Sequence, residues 1–411
     1  MHPNRRRLLA LVARLLLAVA IALPLAALVP GRAPATTADT WSVPRQAWVK
    51  ISGHGYGHGR GMSQYGAEGA AREGLTYKQI IDFYYPDARW SQAKKRIAVL
   101  ITADTSDDLV VKVRRGLRVH DAAEKTITRL PDLSDRDATM WRIRAGDDGR
   151  DRVAWFNGRW HLYGALDGRG GFSRKQGKPV TLVTPSGATA YRGRLWSRAP
   201  SAGGTARDAV NVVSLENYLR GVVPMEMPAL WHPAAVRAQA VAARTYATYE
   251  RAHPRARHYQ ICDTWSCQVY GGVAAEHPAS DAAVEKTAGK VLTWRGEPAL
   301  TQFASSSGGW TVSGSVPYLP AQKDPYDGWS GNSVHSWSLR LTDTQLESHW
   351  PSIGNLTRIS VLDRDGNGDW GGRVQSLRLV GSAGRVTVSG DTFRSVLGLR
   401  SDWITFGVRS R

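Results

Sequence analysis

After residue 29 the sequence lacks any long apolar run, so no later segment is long enough to cross a membrane as a helix. The start of the chain differs, because a basic stretch at residues 5–7 precedes an apolar stretch over residues 8–29, and Ala33-Pro34-Ala35 offers a small-residue cleavage site. This pattern predicts a signal peptide over residues 1–35 and a flexible linker over 36–46. The protein is therefore expected outside the cytoplasm, secreted or associated with the cell wall. An uncleaved membrane anchor is the alternative, although Arg14 shortens the apolar run below the roughly 20 residues that a span prefers.

Acidic residues are scarce, with 35 Asp and Glu against 54 Lys and Arg, which gives a net charge of +19. Without the five arginines of residues 1–35 the charge is still +14. Such a surplus favours polyanionic surroundings. Export argues against nucleic acid as a partner, whereas wall polymers that carry phosphate or carboxylate fit. The 16 tryptophans are expected mainly in the core, with some available to stack on sugar rings.

Cysteine is nearly absent, and the two that occur, Cys262 and Cys267, are five positions apart. In an exported protein such a pair most simply forms a disulfide. His258 precedes Cys262 by four residues, so a zinc site remains the alternative, although only three ligands are available locally.

Several catalytic patterns are missing. No G-x-S-x-G sequence accompanies Ser305, Ser306 and Ser307, so these serines are interpreted as polar contacts for a ligand, not as nucleophiles. His54 and His58 share a glycine-rich loop without an adjacent acid or thiol. Residues 363–369 resemble the start of a calcium loop, but Val374 stands where an EF-hand needs a bidentate Glu. The sequence thus predicts neither cofactor nor resident metal, with calcium at 363–369 kept as an alternative to a simple turn.

The order of patterns predicts an α+β fold rich in strands. Residues 47–91 combine the glycine–histidine run with two short helices, capped by Ser63 and Thr76. Residues 92–210 alternate or run apolar between turn residues, which indicates a β-rich sub-domain. Residues 211–408 form the expected catalytic core, with a long helix beginning at Pro233 and ending near Arg251, and a short closing helix at 391–397.

A single acid, Glu226, lies in an apolar segment bounded by Pro224 and Pro228, directly before the long helix. Burial disfavours the charged form of a carboxyl group, so Glu226 is a candidate general acid. The alternative is a structural Glu that pairs with a nearby Arg. On the helix, Arg237 and Arg244 are seven residues apart and share one face, which suits contacts with substrate carboxylates. His58, Ser63 and Gln64 are interpreted as a polar wall of the same cleft.

Four stretches of the sequence are similar to the stage II sporulation protein D (SpoIID/LytB) family. They are GYGHGRGMSQYGA (55–67), LENYLRGVVPMEMPALW with RAQAVAARTYA (215–247), QVYGG (268–272) and FASSSGGWT (303–311). In the family the first of these usually comes last, so its early position here predicts that residues 53–67 fold back against Glu226 and residues 305–309.

The resemblance implies a lytic transglycosylase that cleaves peptidoglycan glycan strands, with Glu226 as its catalytic acid. The family also has basic residues at the positions of Arg237 and Arg244. No second acid accompanies Glu226 in the matched stretches, which suits cleavage by an internal sugar hydroxyl better than hydrolysis. Two alternatives from other classes remain: a non-catalytic enhancer of a wall amidase, and a plain wall-binding module.

Overall fold

The computed structural model describes residues 39–411, which contain both helices and many short strands. The α-helices are α1 (Gln64–Arg72), α2 (Tyr77–Tyr84), α3 (Leu215–Arg220), α4 (Val223–Glu226), α5 (Pro233–Ala252), α6 (Pro278–Lys286), α7 (Asp343–His349) and α8 (Gly390–Leu397). The strands are β1 (Asp39–Ser42), β2 (Ala47–His54), β3 (Met62–Ser63), β4 (Arg89–Gln92), β5 (Arg96–Leu100), β6 (Asp108–Lys112), β7 (Leu117–Asp121), β8 (Thr126–Arg129), β9 (Met140–Ala145), β10 (Asp151–Phe156), β11 (Trp160–Leu166), β12 (Gly170–Arg174), β13 (Val180–Thr184), β14 (Gly187–Tyr191), β15 (Arg194–Arg198), β16 (Asp208–Ser214), β17 (Ile261–Cys262), β18 (Lys290–Trp294), β19 (Glu297–Pro298), β20 (Phe303–Ala304), β21 (Ser336–Thr342), β22 (Leu356–Arg364), β23 (Val374–Gly381), β24 (Arg385–Ser389) and β25 (Ile404–Ser410). Short 3₁₀ turns lie at Ser134–Arg136, Lys175–Gly177, Gly272–Ala275, Pro351–Ile353 and Asp369–Gly371. The predicted α+β, strand-rich class is confirmed.

Two larger sheets fill the middle of the sequence, where the residue pattern is β-like. One has the order β11-β10-β9-β6-β13-β14, and the other has the order β17-β5-β16-β15-β12-β7-β8. Nearly all neighbours are antiparallel, and only β17 joins its sheet in parallel, alongside β5. Apolar side chains of both sheets, among them Trp141, Ile143 and Phe172, are fully buried in a cluster that also includes helix α5. The helical part packs against this sheet pair.

The predicted helices begin where their caps place them. Ser63 accepts a hydrogen bond from the backbone of Gly66 at the start of α1, and Thr76 forms a reciprocal capping box at the start of α2. Helix α5 begins at Pro233, as predicted, because proline has no N–H to leave unpaired in a first turn. Most of its small side chains are buried, so α5 runs through the main core.

The glycine–histidine run folds as a tight loop against the segment that begins at Phe303. Gly55, Gly57, Gly59 and Gly61 all have positive φ angles, between 66° and 102°. At Gly61 a Cβ atom would lie 2.0 Å from the carbonyl oxygen of Gln302, so no larger residue fits. This close approach lets β3 pair in parallel with β20. Tyr56 also forms an isolated β-bridge with Ser306, which lies in the segment 305–309 against which residues 53–67 are predicted to fold.

The end of the chain forms a second apolar cluster together with strands from its beginning. Sheet β21-β2-β25 and sheet β1-β22-β23-β24 surround this cluster, with Phe393 and Phe406 inside it. The predicted linker over 36–46 needs correction, because Asp39–Ser42 is strand β1 and pairs with β22. Trp41 anchors it by an edge contact with the ring of Phe406 at a centroid distance of 5.2 Å. The predicted signal peptide lies outside the described residues, and within residues 39–411 no helix combines the length and apolarity needed to cross a membrane.

Candidate functional site

Glu226 ends the short helix α4 at the edge of the main core. Its neighbours Val222, Val223 and Met227 are buried with 0–1% exposure, whereas Glu226 itself is partly exposed. The apolar neighbours therefore fix the backbone of this turn and leave the carboxyl group at the surface of the core. Helix α5 begins a few residues later, with His232 as its N-cap.

A cavity of about 350 Å³ opens at the Glu226 side chain. Its walls come from α4, from the end of α5, from the segment around Cys267, from β20 and from the glycine–histidine loop. The residues that line it are His58, Glu226, Tyr246, Arg255, Trp265, Ser266, Cys267, Val269, Gln302 and Phe303. Glu226 is the only acid among them, so the cavity presents one carboxyl group to a ligand.

Burial raises the pKa of Glu226, and the hydrogen bond from the backbone N–H of Val269 opposes this only in part. That N–H donates to Oε1 at 3.0 Å. Among residues 39–411, Glu226 has no ion pair, and Oε2 has no hydrogen-bond partner. The structural alternative, a Glu paired with a nearby Arg, is therefore not what the structure shows. Oε1 is oriented by the backbone, and Oε2 is free to carry a proton.

Helix α1 holds the Glu226 turn from the other side. The Gln64 side-chain amide donates to the backbone oxygen of Glu226 at 2.8 Å, and the Glu68 carboxylate accepts from the backbone N–H of His232 at 2.8 Å. Glu68 is fully buried and Gln64 is 8% exposed. Gln64 was predicted to contact substrate, but its amide is used to position Glu226.

His58 brings the glycine–histidine loop to the cavity wall. Burial, together with smaller contributions from the charges of Arg60 and Arg373, lowers its pKa to about 4. Its Nδ1 accepts from the backbone N–H of Arg60 at 3.0 Å. A neutral imidazole that accepts at Nδ1 carries its proton on Nε2. His58 is therefore a neutral ring whose Nε2–H can donate to a ligand oxygen.

Cys262 and Cys267 are joined as a disulfide that closes a short loop at the cavity. The zinc alternative has no support here, since disulfide sulfurs are not thiolates and His258 bonds to Asp208 at 2.6 Å. Within the loop, Trp265 lines the cavity and is 88% exposed. Large aromatic rings are buried on average, so an exposed Trp fixed by a disulfide loop is a suitable platform for a sugar face.

The predicted substrate contacts at Arg244, Ser63 and Ser306 need correction, because all three side chains are buried. Arg244 is fully buried and forms a two-point ion pair with Glu216, at 3.0 and 2.7 Å. A guanidinium on the α5 face toward the core pairs inside the protein, since an unpaired buried charge is costly. Ser63 and Ser306 both donate to Asp327, at 2.6 and 2.7 Å.

The remaining predicted contacts, Arg237 and Ser305, are partly exposed, but neither lines the cavity of Glu226. The Nε of Arg237 is buried without a hydrogen-bond partner in the described part of the chain. Ser305 uses its backbone oxygen to accept from Tyr65 at 2.9 Å. Both residues remain predictions as substrate contacts.

Asp327, which the sequence analysis does not single out, holds the site's loops together. Its fully buried carboxylate accepts from Ser63, Ser306 and His335 and from the backbone of residues 307 and 308. Burial alone would raise its pKa, but the hydrogen bonds from His335, Ser63 and Ser306 outweigh burial and lower it. The glycine–histidine loop and the Ser305–Gly309 segment are thus both hydrogen-bonded to the carboxylate of Asp327. No local sequence signal marks this role, because its donors lie up to 264 positions away.

Tyr246 and Arg255 are also lining residues that sequence reasoning missed. Arg255 pairs with Glu250 at 2.7 Å and donates to the Tyr246 hydroxyl at 3.2 Å, so its charge is partly engaged. Tyr246 lies on α5, three positions from Tyr249. The spacing of these residues along the helix does not show whether Tyr246 faces the cavity or the core.

The Asp-rich segment 363–369 forms a turn. Oδ1 of Asp365 accepts from the backbone N–H groups of Asn367 and Arg373, at 3.1 and 3.0 Å. Across residues 39–411 no group of three or more His, Cys, Asp and Glu side chains is arranged to hold a metal ion.

Comparison with known proteins identifies part of this arrangement. Residues 204–294 match the family model described as SpoIID, stage II sporulation protein. The chain is 40% identical over 136 residues to a Bacillus subtilis (strain 168) protein named "Amidase enhancer", covering 32% of this chain and 18% of that protein. It is 34% identical over 144 residues to the stage II sporulation protein D of the same organism, covering 30% and 42%.

Residues 204–294 are therefore similar to the SpoIID family, and the match covers less than a quarter of the chain. The chain spans 18% to 48% of the length of the curated relatives that it matches, the upper value with an uncharacterised Brachyspira hyodysenteriae protein that is 32% identical over 178 residues. The SpoIID match contains Glu226, the disulfide loop and α5. His58, Gln302 and Phe303 lie outside the matched range and complete the cavity from elsewhere in the chain.

Proposed function

We propose that this protein, whose residues 204–294 match the SpoIID family model, acts on the cell wall as a lytic transglycosylase for peptidoglycan glycan strands. The observation that carries the proposal is a single carboxyl group, Glu226, with a raised pKa and no ion pair, in a cavity of about 350 Å³. A protonated acid at the wall of a cleft is what cleavage of a glycosidic bond requires. No cofactor is needed for this chemistry.

In the proposed reaction, Glu226 gives its proton to the glycosidic oxygen as the bond between this oxygen and the anomeric carbon breaks. The 6-hydroxyl oxygen of the muramic sugar that contains this anomeric carbon then bonds to it, and the Glu226 carboxylate takes the hydroxyl proton. The enzyme returns to its starting state, and one strand ends in a 1,6-anhydro sugar. The hydrogen bond from Val269 keeps Oε1 in place while Oε2 gives and takes the proton.

One further feature supports transglycosylation over hydrolysis, and a second supports binding of sugars in either reaction. Glycosidases that use water normally place two carboxyl groups about the bond, and among residues 39–411 Glu226 is the only acid that lines this cavity. A neutral His58 and an exposed Trp265 offer a donor and an apolar platform for neutral sugar rings.

The decisive experiment is mass spectrometry of glycan strands after digestion by the wild-type chain and by Glu226→Gln. Wild type should produce anhydro-muramic ends, and the variant should be slower by about 10²- to 10⁴-fold. Glu285→Gln, which changes an exposed acid on α6, is the matched control and should behave as wild type. Reducing ends would indicate a hydrolase, and wild-type rates from Glu226→Gln would refute the assignment.

A second candidate is supported by the relative named "Amidase enhancer". In this role the protein would bind a wall amidase and raise its activity without cleaving glycan itself. Adding Glu226→Gln to a purified wall amidase separates the two roles. Full stimulation by this variant, together with no strand cleavage by wild type, would favour the enhancer.

A further inference from the structure

A second cavity, of about 430 Å³, lies in the β-rich sub-domain, outside the residues that match the SpoIID family model. Its lining contains no acid and six cationic side chains: Arg115, Arg118, Arg129, Arg174, Lys175 and Lys178. We name this the basic cavity. We propose that it binds a phosphate-rich polyanion, such as a wall polymer linked by phosphodiesters, and so holds the protein on the wall.

The six cations converge from separate parts of the sequence. Arg115 lies in the turn before β7, Arg118 is on β7, Arg129 ends β8, and Arg174 ends β12 beside the two lysines. Lys175 is brought to the β6–β7 turn by a hydrogen bond from its backbone N–H to the oxygen of Gly116, at 2.9 Å. Convergence of three elements distinguishes this site from a charged run along one exposed face.

None of the six cations has an acidic partner within residues 39–411. Other arginines of the same sub-domain do, since Arg142 pairs with Asp108 and Arg152 pairs with Asp148. Some cations elsewhere in the sub-domain are therefore neutralised by acids, whereas the six cations of the basic cavity are not.

Two placements in the basic cavity work against stability. Arg118 and Arg129 are direct partners on adjacent antiparallel strands, and like charges directly opposite each other are destabilising. Arg174 donates to the backbone oxygens of Pro179 and Arg115, while its Nε is buried without a partner in the described part of the chain. A charged side chain on edge strand β8 would limit aggregation, but this does not account for Arg174 or for Arg118. A bound anion would offset the repulsion between Arg118 and Arg129 and the uncompensated charge of Arg174.

The chemistry of the cations favours phosphate. Guanidinium groups bind phosphate oxygens at two points, and flexible lysines add point charges at the rim. Four arginines with two exposed lysines therefore suit an extended chain of phosphates.

The test measures binding of labelled linear inorganic polyphosphate to the full chain by fluorescence anisotropy across a range of salt concentrations. The site variant is Arg129→Glu with Lys178→Glu, since both side chains are exposed. The matched control, Arg144→Glu with Arg159→Glu, makes the same charge change at exposed positions outside the basic cavity. We expect the site variant to bind at least about tenfold more weakly than the control at low salt. Its slope of log affinity against log salt should be shallower by about 1 for each cation lost.

Equal weakening by the two variants would overturn the proposal, because net charge alone would then explain binding. Polyglutamate that displaces polyphosphate at equal charge concentration would overturn the assignment to phosphate. If the charge reversals lower the melting temperature, the Gln versions of both pairs should show the same ranking with smaller losses. Cleavage of phosphate-free glycan strands should be unchanged in the site variant, so this result stands apart from the proposed activity.

Discussion

Glu226→Gln should make the protein more stable near neutral pH while removing its activity. The folded protein holds this carboxyl group among apolar residues, with one backbone hydrogen bond and, among the described residues, no cation in contact. Ionising it there is costly, and a neutral amide of the same shape avoids the cost. The amide oxygen introduced by the substitution can still accept from the Val269 N–H.

The direction of the pH dependence follows from the raised pKa. Below the pKa of an unfolded Glu, the carboxyl group is protonated in both states and has no effect. As the pH rises from that value through the higher pKa of the folded state, the folded protein binds more protons than the unfolded chain. Stability from this group is therefore lost as pH rises through this window. The gain in Glu226→Gln should appear above the window and vanish at lower pH.

Each unit of separation between the two pKa values corresponds to about 1.4 kcal/mol. We expect a gain on the order of 1 kcal/mol at pH 7 to 8, measured by urea denaturation at several pH values. Glu276→Gln is the control of opposite sign, because Glu276 accepts a two-point ion pair from Arg192, and its loss should destabilise. A Glu226→Gln variant that is less stable at every pH, or equally shifted at pH 4 and 8, would show that the carboxyl group is not held protonated by burial.

Three further substitutions test the contacts around the site. Trp265→Ala should raise KM for glycan strands several-fold with little change in melting temperature, and Trp265→Phe should restore part of the binding; unchanged KM would remove the ring from the substrate path. Gln64→Ala should lower kcat about tenfold, because misplacing a reacting group is costly; a change confined to KM would instead indicate direct contact with substrate. Glu216→Gln should lower the free energy of unfolding by about 2–4 kcal/mol, because it leaves the buried Arg244 unpaired, while the folded fraction keeps its activity. If only KM changes at a temperature where variant and wild type are both folded, Arg244 would instead be a substrate contact.

The sequence predicts those features whose causes are local. Ser63 and Thr76 cap helices because their side chains bond to backbone groups three residues on. Pro233 starts α5 for a similarly local reason, and the alternating apolar pattern of residues 97–210 predicts strands. Glu226 is recognisable from its apolar neighbours together with the family motif around it.

Contacts between distant residues are not visible in this way. Arg237 and Arg244 occupy one helix face by spacing. The burial of Arg244 follows from tertiary packing, because its guanidinium bonds to Glu216 and to backbone oxygens of residues 284 and 290. Ser63 and Ser306 look like sugar contacts until Asp327 is placed between them by the fold. In each case a polar side chain in a recognisable motif has two possible partners, a ligand or a buried ion, and the sequence names neither.

The basic cavity likewise cannot be predicted from the sequence. Its cations are spread over residues 115–178 and form no run that a charge pattern would detect. They meet because β7 lies between β8 and β12 in the sheet. The net charge of the chain is +19, and part of this positive charge is clustered in the basic cavity. If the basic cavity binds phosphate polymers, this cluster is where a wall polymer attaches to the protein. The cavity of Glu226 would then act on glycan near that point of attachment, and polyphosphate should compete with attachment to whole walls without slowing cleavage of free strands.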